Sequence, residues 1–358
     1  MRVLNDVGEY GMHEYMSEIA HSGEDVVVPM GEDDCSVVKI DGTYLIQSCD
    51  AISSKPLTSK YGKRNPKGVA NYLVQANLSD ILSSGAIPQG IHTLFEFPSS
   101  YSYDKYKEFV KGFSEITNHY NISWLGGDLK ETEGTRLAAM IQGTVSNKEQ
   151  IRTRAGAEVG DVIIVTRNIG TINAATFFID KYDSISKKDE EYLYEKTKMP
   201  EAPYEESIYM TKNNIGNGGL DITDGLGMDL KKLADKSDVG LRIKESKIPM
   251  DDQVVKIINQ YTEYHPSAFA FTLGGDWQSV VTMSPDDWNE IKDPVNNVGK
   301  ATKIGRVIEK SRGLEYITDE GARTTLPTGG KEIFTGSTSF SSKTEELLNK
   351  YQQTTKKA

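Results

Sequence analysis

The stretch IRTRAGAEVGD, residues 151–161, is rich in glycine and charge and separates two patterned halves, so a domain boundary is read there. Outward from it, strand-like and helix-like segments alternate. Val26–Val28, Ser36–Ile40, Tyr44–Gln47 and Leu137–Val145 read as strands upstream, and Val162–Thr166, Val280–Met283 and Thr302–Ile308 downstream. Residues 103–120 set Tyr103, Tyr106, Phe109, Val110, Phe113, Ile116 and Tyr120 on one helical face, with the charges mainly opposite. Residues 67–84 do the same with Val69, Leu73, Ala76 and Leu78, and Gly85 supplies a stop. Further helices are expected near 171–182, 204–213, 226–237 and 251–263. Several neighbouring strands look hairpin-connected, which predicts an α/β (α+β) chain with mixed sheets rather than a doubly wound parallel one. The expected units are 1–150, 151–335 and a loosely attached, Ser/Thr/Lys-rich polar tail over 336–358.

Lys plus Arg number 41 and Asp plus Glu 52 in 358 residues, a formal charge of −11. Such a surface repels nucleic-acid backbones and anionic lipid, but it admits a phosphorylated small molecule where metal ions mediate the contact. Cys35 and Cys49 fit neither a disulfide framework nor a zinc site, and no secretory signal or membrane-length apolar run is evident. A cytoplasmic protein with no nucleic-acid or membrane partner is expected.

Aspartates recur where apolar runs end. Asp33 and Asp34 precede CSVVKI, Asp50 ends TYLIQSC, Asp80 ends ANLS, Asp128 follows ISWLGG, and Asp221 and Asp224 lie in GGLDITDGLG. Gathering several carboxylates in a partly buried cleft is costly unless cations neutralise them, and Mg²⁺ is the cation that spans carboxylates and phosphates. Each aspartate taken alone is equally the ordinary residue of a turn or N-cap, Asp224 above all. Spacing leaves both readings open. A phosphate-binding GxxxxGK[ST] loop, the HRD and DFG elements of protein kinases and a GxSxG elbow are all missing. The five histidines lack metal spacing, and the basic loop 59–68 could close over phosphates or stay solvated.

The ordered set GEDDCSVV, SCD, NLSDILSSGAIP, WLGGD, TRAGAEVGD, DITDG and LGGDW resembles the thiamine-monophosphate kinase family, within the aminoimidazole-ribonucleotide synthetase-related superfamily, over residues 25 to 335. The resemblance implies an N-terminal domain whose sheet pairs with that of a second subunit in a homodimer, a C-terminal mixed α/β domain, and ATP with Mg²⁺ in the cleft between them. Carried over residue by residue, it implies metal binding by Asp34, Asp50, Asp80, Asp128, Asp221 and Asp224, with Ser48 and Cys49 at positions that serve the metal through side chain or backbone carbonyl. It implies nucleotide contacts from Gly127, Asp128, Arg154 and Thr223, an acceptor contact at Asp276, and catalytic work by Asp128, Asp221 and Asp224.

The implied reaction moves the ATP γ-phosphoryl group onto thiamine phosphate by direct in-line transfer. Such a transfer asks for alignment and charge neutralisation rather than a strong base. Departures from the family pattern lie on the acceptor side. Cys49 replaces a hydroxyl residue, Leu57 stands at or near a histidine position, and Asp276–Trp277 replace a Glu–Asp pair. They keep two alternatives in view, another small phosphate or amide acceptor, and a nucleotide-binding protein without catalysis. The absence of a reactive N-terminal-segment or C-terminal cysteine disfavours the selenophosphate synthetase and hydrogenase-maturation branches.

Overall fold

The structure is a computed structural model that describes residues 3–52, 65–179, 181, 184–330 and 340–355. Leu57 and most of the basic loop 59–68 lie outside the described residues. A helix α1 (Gly8–Ile19) leads into the first sheet, built from β1 (Val26–Val28), β2 (Ser36–Ile40), β3 (Thr43–Ile52), β4 (Ile87–Phe97), β5 (Ser123–Glu131) and β6 (Arg136–Val145) in the order β1-β2-β3-β6-β4-β5. Its pairs are antiparallel except β4 with β5. Helices α2 (Pro66–Ser83) and α3 (Tyr103–His119) pack together on this sheet.

The second sheet runs β13-β12-β9-β11-β7-β10-β8. Its strands are β7 (Val162–Thr166), β8 (Gly218–Asp221), β9 (Gly240–Lys244), β10 (Ser279–Met283), β11 (Ala301–Ile308), β12 (Leu314–Ile317) and β13 (Arg323–Thr325). The helices of this half are α4 (Thr171–Ile179), α5 (Lys187–Thr197), α6 (Tyr204–Lys212), α7 (Leu226–Ser237), α8 (Asp252–Tyr261), α9 (Ser267–Thr272), α10 (Pro285–Val298) and α11 (Phe340–Thr355). Both sheets are mixed, as the hairpin-connected pattern predicts. The first sheet ends at Val145 and the second begins at Val162, on either side of the glycine-rich stretch.

Helix α2 departs from its sequence reading in an instructive way. The expectation was one apolar stripe, yet nearly every residue from Ala70 to Ser83 is buried, polar ones included. One side packs on β3 and β6 while the other meets β8 of the second half. The buried polar groups are therefore paired across the boundary. Asn71 Nδ2 donates to the Pro200 carbonyl at 2.7 Å, and the Ala202 N–H donates to Gln75 Oε1 at 2.7 Å. Asn65 caps the helix start, with Pro66 following it.

The far end of α2 is closed by Arg152, a fully buried side chain that the sequence reading did not single out. Its guanidinium donates to the carbonyls of Leu82 at 2.7 Å, Ser83 at 3.1 Å and Ile215 at 3.2 Å, and its N–H donates to Ser84 O at 3.0 Å. The carbonyls of Leu82, Ser83 and Ser84 lie at the negative end of the α2 dipole, where a cation belongs. Burial draws its pKa down to about 10, which leaves it charged at neutral pH.

The polar tail expectation fails for its described part. Helix α11 puts Leu347, Leu348 and Tyr351 into buried positions, and Leu348 and Tyr351 join the core of the second half. Its apolar residues are too few to stand out from the polar composition around them.

Replacing Arg152 with Met takes the guanidinium from the Ser83 and Ile215 carbonyls and leaves Leu82 only its backbone donor, and each unsatisfied carbonyl costs about 1–3 kcal/mol. The expected outcome is a clearly lower urea midpoint with unchanged oligomeric state. A midpoint equal to the wild type would show that Arg152 does not tie α2 to the second half.

Candidate nucleotide and metal site

Residue 79 of α2 faces the second half and residue 80 faces the first sheet. Ser79 Oγ donates to Asp221 Oδ2 at 2.7 Å, and Ser48 Oγ of β3 donates to Asp80 Oδ2 at 2.5 Å. Asn77, one turn earlier, fixes the backbone at Asp50: its Oδ1 accepts the Asp50 N–H at 3.0 Å. Strand β3 thus turns Ser48 and Asp50 toward α2, while Cys49, at the odd position between them, is exposed on the other face. The Cys49 side chain points away from the site, and its backbone carbonyl, the other route that the resemblance allows, is the ligand atom left to it.

The carboxylates converge. Burial pushes the pKa of Asp80 well up, reinforced by the charges of Asp221, Asp50 and Asp34. Burial does the same to Asp221, again with Asp34 and Asp50 contributing. Asp33, neighbour of Asp34, is raised to about 7 by burial and by Asp34. Arg154 is the cation placed among them. Its guanidinium holds Asp34 through both Nε, at 3.2 Å, and Nη2, while its N–H donates to Asp33 Oδ2 at 2.7 Å. One arginine against Asp33, Asp34, Asp80 and Asp221 leaves more buried carboxyl groups than cations, with oxygen donors only. That donor set fits hard divalent cations such as Mg²⁺. Asp33 had no separate role in the sequence reading; the doublet GEDDC was the signal available for it.

The turn Ile222–Gly225 continues from Asp221. The expectation that Asp224 would be an ordinary N-cap of α7 does not hold. Gly225 occupies that position with φ 104 and no side-chain cap, and Asp224 reaches Lys232 Nζ at 2.6 Å. The turn is instead held from within the helix: Asp229 Oδ2 accepts the N–H groups of Thr223 and Asp224, both at 3.1 Å, and Asp229 Oδ1 accepts from Lys232 at 2.9 Å. Burial raises Asp229 to about 6 against the opposing pull of Lys232. Asp229 and Lys232 were missed because at helical spacing they read as one more solvated ion pair.

The acceptor-side loop lies directly against this turn. A side chain on Gly225 would meet Phe271 O at 2.6 Å, and one on Gly274 would meet Ile222 O at 2.5 Å, so only glycines let the two backbones touch. The Ile222 N–H donates to Gln278 O at 2.7 Å. Asp276 is buried, and its two oxygens accept the N–H groups of Gly170 at 2.8 Å and Ile172 at 3.0 Å, the start of α4. Burial raises its pKa to about 6. The carboxylate therefore acts first as a helix cap, although Asp276 also borders a cleft of about 240 Å³ with Arg167, Lys196, Met199, Glu201 and Asp251.

Gly127 and Asp128 stand apart. Strand β5 is exposed along its whole length, and Asp128 pairs with Lys130 at 3.3 Å. Asp50 pairs with Ala139, Ala139 with Thr93, and Thr93 with Gly127, so Gly127 sits three strands across from Asp50, roughly 14 Å away. Within one chain Asp128 is not part of the converging group, a correction to its expected place among the ligands. Gly127 is required where it is, since a Cβ would lie 1.9 Å from Thr93 O.

Residues 32–146 match the N-terminal domain of AIR synthase related proteins and residues 158–316 their C-terminal domain. The chain belongs to the AIR synthase-related family. Thiamine-monophosphate kinase from Pyrococcus horikoshii is 26% identical over 304 residues, covering 85% of this chain and 91% of that protein. The enzyme of the same name from Methanocaldococcus jannaschii is 28% identical over 305 residues, 82% of this chain and 91% of the relative. The solved structure of AaThiL complexed with AMPPCP and TMP superposes with a TM-score of 0.79 at 21% identity, covering 93% of this chain and 99% of that one, and shows the same fold.

The raised carboxylates set a sign for pH dependence. Asp33, Asp80 and Asp221 hold protons more tightly folded than unfolded, so without metal their contribution is intact below about pH 4 and is lost as pH rises through the folded values, about 7 for Asp33. In a chelator, Asp221→Asn is therefore expected to melt higher than the wild type at pH 8 and to show a smaller gain on adding Mg²⁺. Calorimetry with and without the ion checks this. Equal metal response in both proteins would remove Asp221 from the ligand set.

Proposed function

We propose that this AIR synthase-related protein is an ATP-dependent kinase that phosphorylates thiamine phosphate, giving thiamine diphosphate and ADP. The observation that carries the reading is the convergence of Asp34, Asp50, Asp80 and Asp221, drawn from both halves of the chain, around Arg154. The names of the relatives, over more than four-fifths of this chain, give the acceptor.

In this reading Asp34, Asp50, Asp80 and Asp221 hold Mg²⁺, with Ser48 and the turn residue Asp224 beside them. The bound ions supply charge neutralisation between two phosphates that would otherwise repel. Arg154 places a guanidinium among the carboxylates, the group suited to bidentate phosphate binding. Thr223 presents its hydroxyl at a turn fixed by Asp229, and Gly127–Asp128 of β5 approach the nucleotide from the sheet edge. The acceptor phosphate oxygen forms the new P–O bond as the bond from the γ-phosphorus to the bridging oxygen breaks, and ADP leaves with the electron pair. The exposed edge of β5, carrying Trp124, Leu125 and Leu129, is where a second subunit would pair, making a homodimer. No described helix is long and apolar enough to cross a membrane, and we place the protein in the cytoplasm.

One observation favours a second reading. Asp276 is engaged in capping α4 and Trp277 replaces the following acid, so a different small phosphate could fill the acceptor place. Purified protein with ATP, Mg²⁺ and thiamine phosphate is expected to yield thiamine diphosphate and ADP in equal amounts. ADP formed without thiamine diphosphate would reject that acceptor and keep the nucleotide half. Arg154→Met is expected to lower turnover by on the order of a hundredfold.

A further inference from the structure

Helix α11 lies beyond residue 316, where the match to the C-terminal domain ends, yet it packs on α9, the short helix that runs into Gly274–Trp277. Three rings meet at the contact. Phe271 of α9 lies 5.2 Å from Tyr316 of β12 and 5.7 Å from Tyr351 of α11, centroid to centroid, and all three are buried. Their hydroxyls fix them: Tyr316 and Tyr351 are 2.7 Å apart, and Glu245 Oε1 accepts from Tyr351 at 2.7 Å and Tyr316 at 3.0 Å. His265 Nδ1, just ahead of α9, is 3.1 Å from the same oxygen, and the Asp319 N–H donates to Oε2 at 2.9 Å.

Glu245, His265 and Asp319 are metal-ligand types with ligand atoms within 4.8 Å of one another. The arrangement is nonetheless a clasp. Glu245 Oε1 already lies against two tyrosine hydroxyls, and His265 Nε2 faces Asp319 at 3.5 Å, so each ring nitrogen is turned to a carboxylate. On the other side of Phe271 its carbonyl abuts Gly225, and its ring lies 3.1 Å from where a Cβ on Gly227 would be. One residue thus separates Tyr351 from the turn that carries Thr223 and Asp224.

We propose that α11, through Tyr351, is a positioning element of the reaction: with Tyr316 it grips Phe271 and so holds the 222–225 turn and the 274–277 loop in mutual register. This rests on the kinase reading for its kinetic consequence, though not for its structural one. Asp34, Asp50 and Asp80 are carried by the other half of the chain, and Thr223, the nucleotide contact on the turn, is also held by Asp229 from within α7, so loss of the grip disturbs acceptor placement more than nucleotide binding.

The test uses the full chain with Tyr351→Ala and Tyr351→Phe. Hydrogen exchange is followed by mass spectrometry at a temperature where both are folded. In the alanine variant, peptides covering 222–229 and 271–278 are expected to exchange about tenfold faster, with 137–145 of β6 unchanged. The phenylalanine variant, which keeps the ring, should restore most of the protection. In the assay, Tyr351→Ala should raise the thiamine phosphate KM by about fivefold, with the ATP KM within a factor of about two. Faster exchange confined to 344–355, or spread evenly over both halves, overturns the proposal, as does an equal rise in both KM values. A wild type inactive on thiamine phosphate refutes the acceptor reading instead, and the exchange result then decides the role of Tyr351 alone.

Discussion

Two buried carboxylates, Asp80 and Asp221, come from different halves of the chain close enough for Asp221 to raise the pKa of Asp80, and the architecture around them follows from what that costs. Charges taken out of water demand partners. Ser48 and Ser79 supply one hydroxyl each and Arg154, bound to Asp34, is the nearby cation, which leaves Asp80 and Asp221 favouring their protonated form. An apolar pair of the same volume would stabilise the empty protein better. In the proposed reading, bound cations supply the balance that such a cluster lacks.

Helix α2 makes the arrangement possible. Consecutive residues on a helix point about 100° apart, so Ser79 can address β8 while Asp80 addresses β3. Arg152 at its end and Asn71 and Gln75 along its side bind the same rod to the second half. The site is therefore held by a buried element rather than by loops, which suits a reaction whose demand is alignment.

The strands that bound the glycine-rich stretch were legible because alternation and turn residues coincide there. Strands β4 and β5 were not, since His92, Glu96 and the Gly126–Gly127 pair break any simple period. The polar face of α2 was misread for a related cause: a helix covered on both sides has no solvent face, and its polar residues signal cross-domain hydrogen bonds rather than exposure. At the site, the joint pattern of aspartates pointed to Asp34, Asp50, Asp80 and Asp221, the same residues whose charges raise the pKa of Asp80 and Asp221. What it could not give was orientation. Period two put Cys49 on the far face, a row of four strands put Asp128 at a distance, and the internal pair Asp229–Lys232 looked like surface charge.

Because a single rod carries Ser79, bonded to Asp221 of the second half, together with Asp80 and Asn77, bonded to β3, it is the axle on which the two sheets meet. A slide of one half along the other would break the Ser79–Asp221 bond and leave the contacts to β3 in place. Evolution of a new acceptor on this frame would accordingly be easiest at the periphery, where the chain already departs from its relatives, and hardest along the axle.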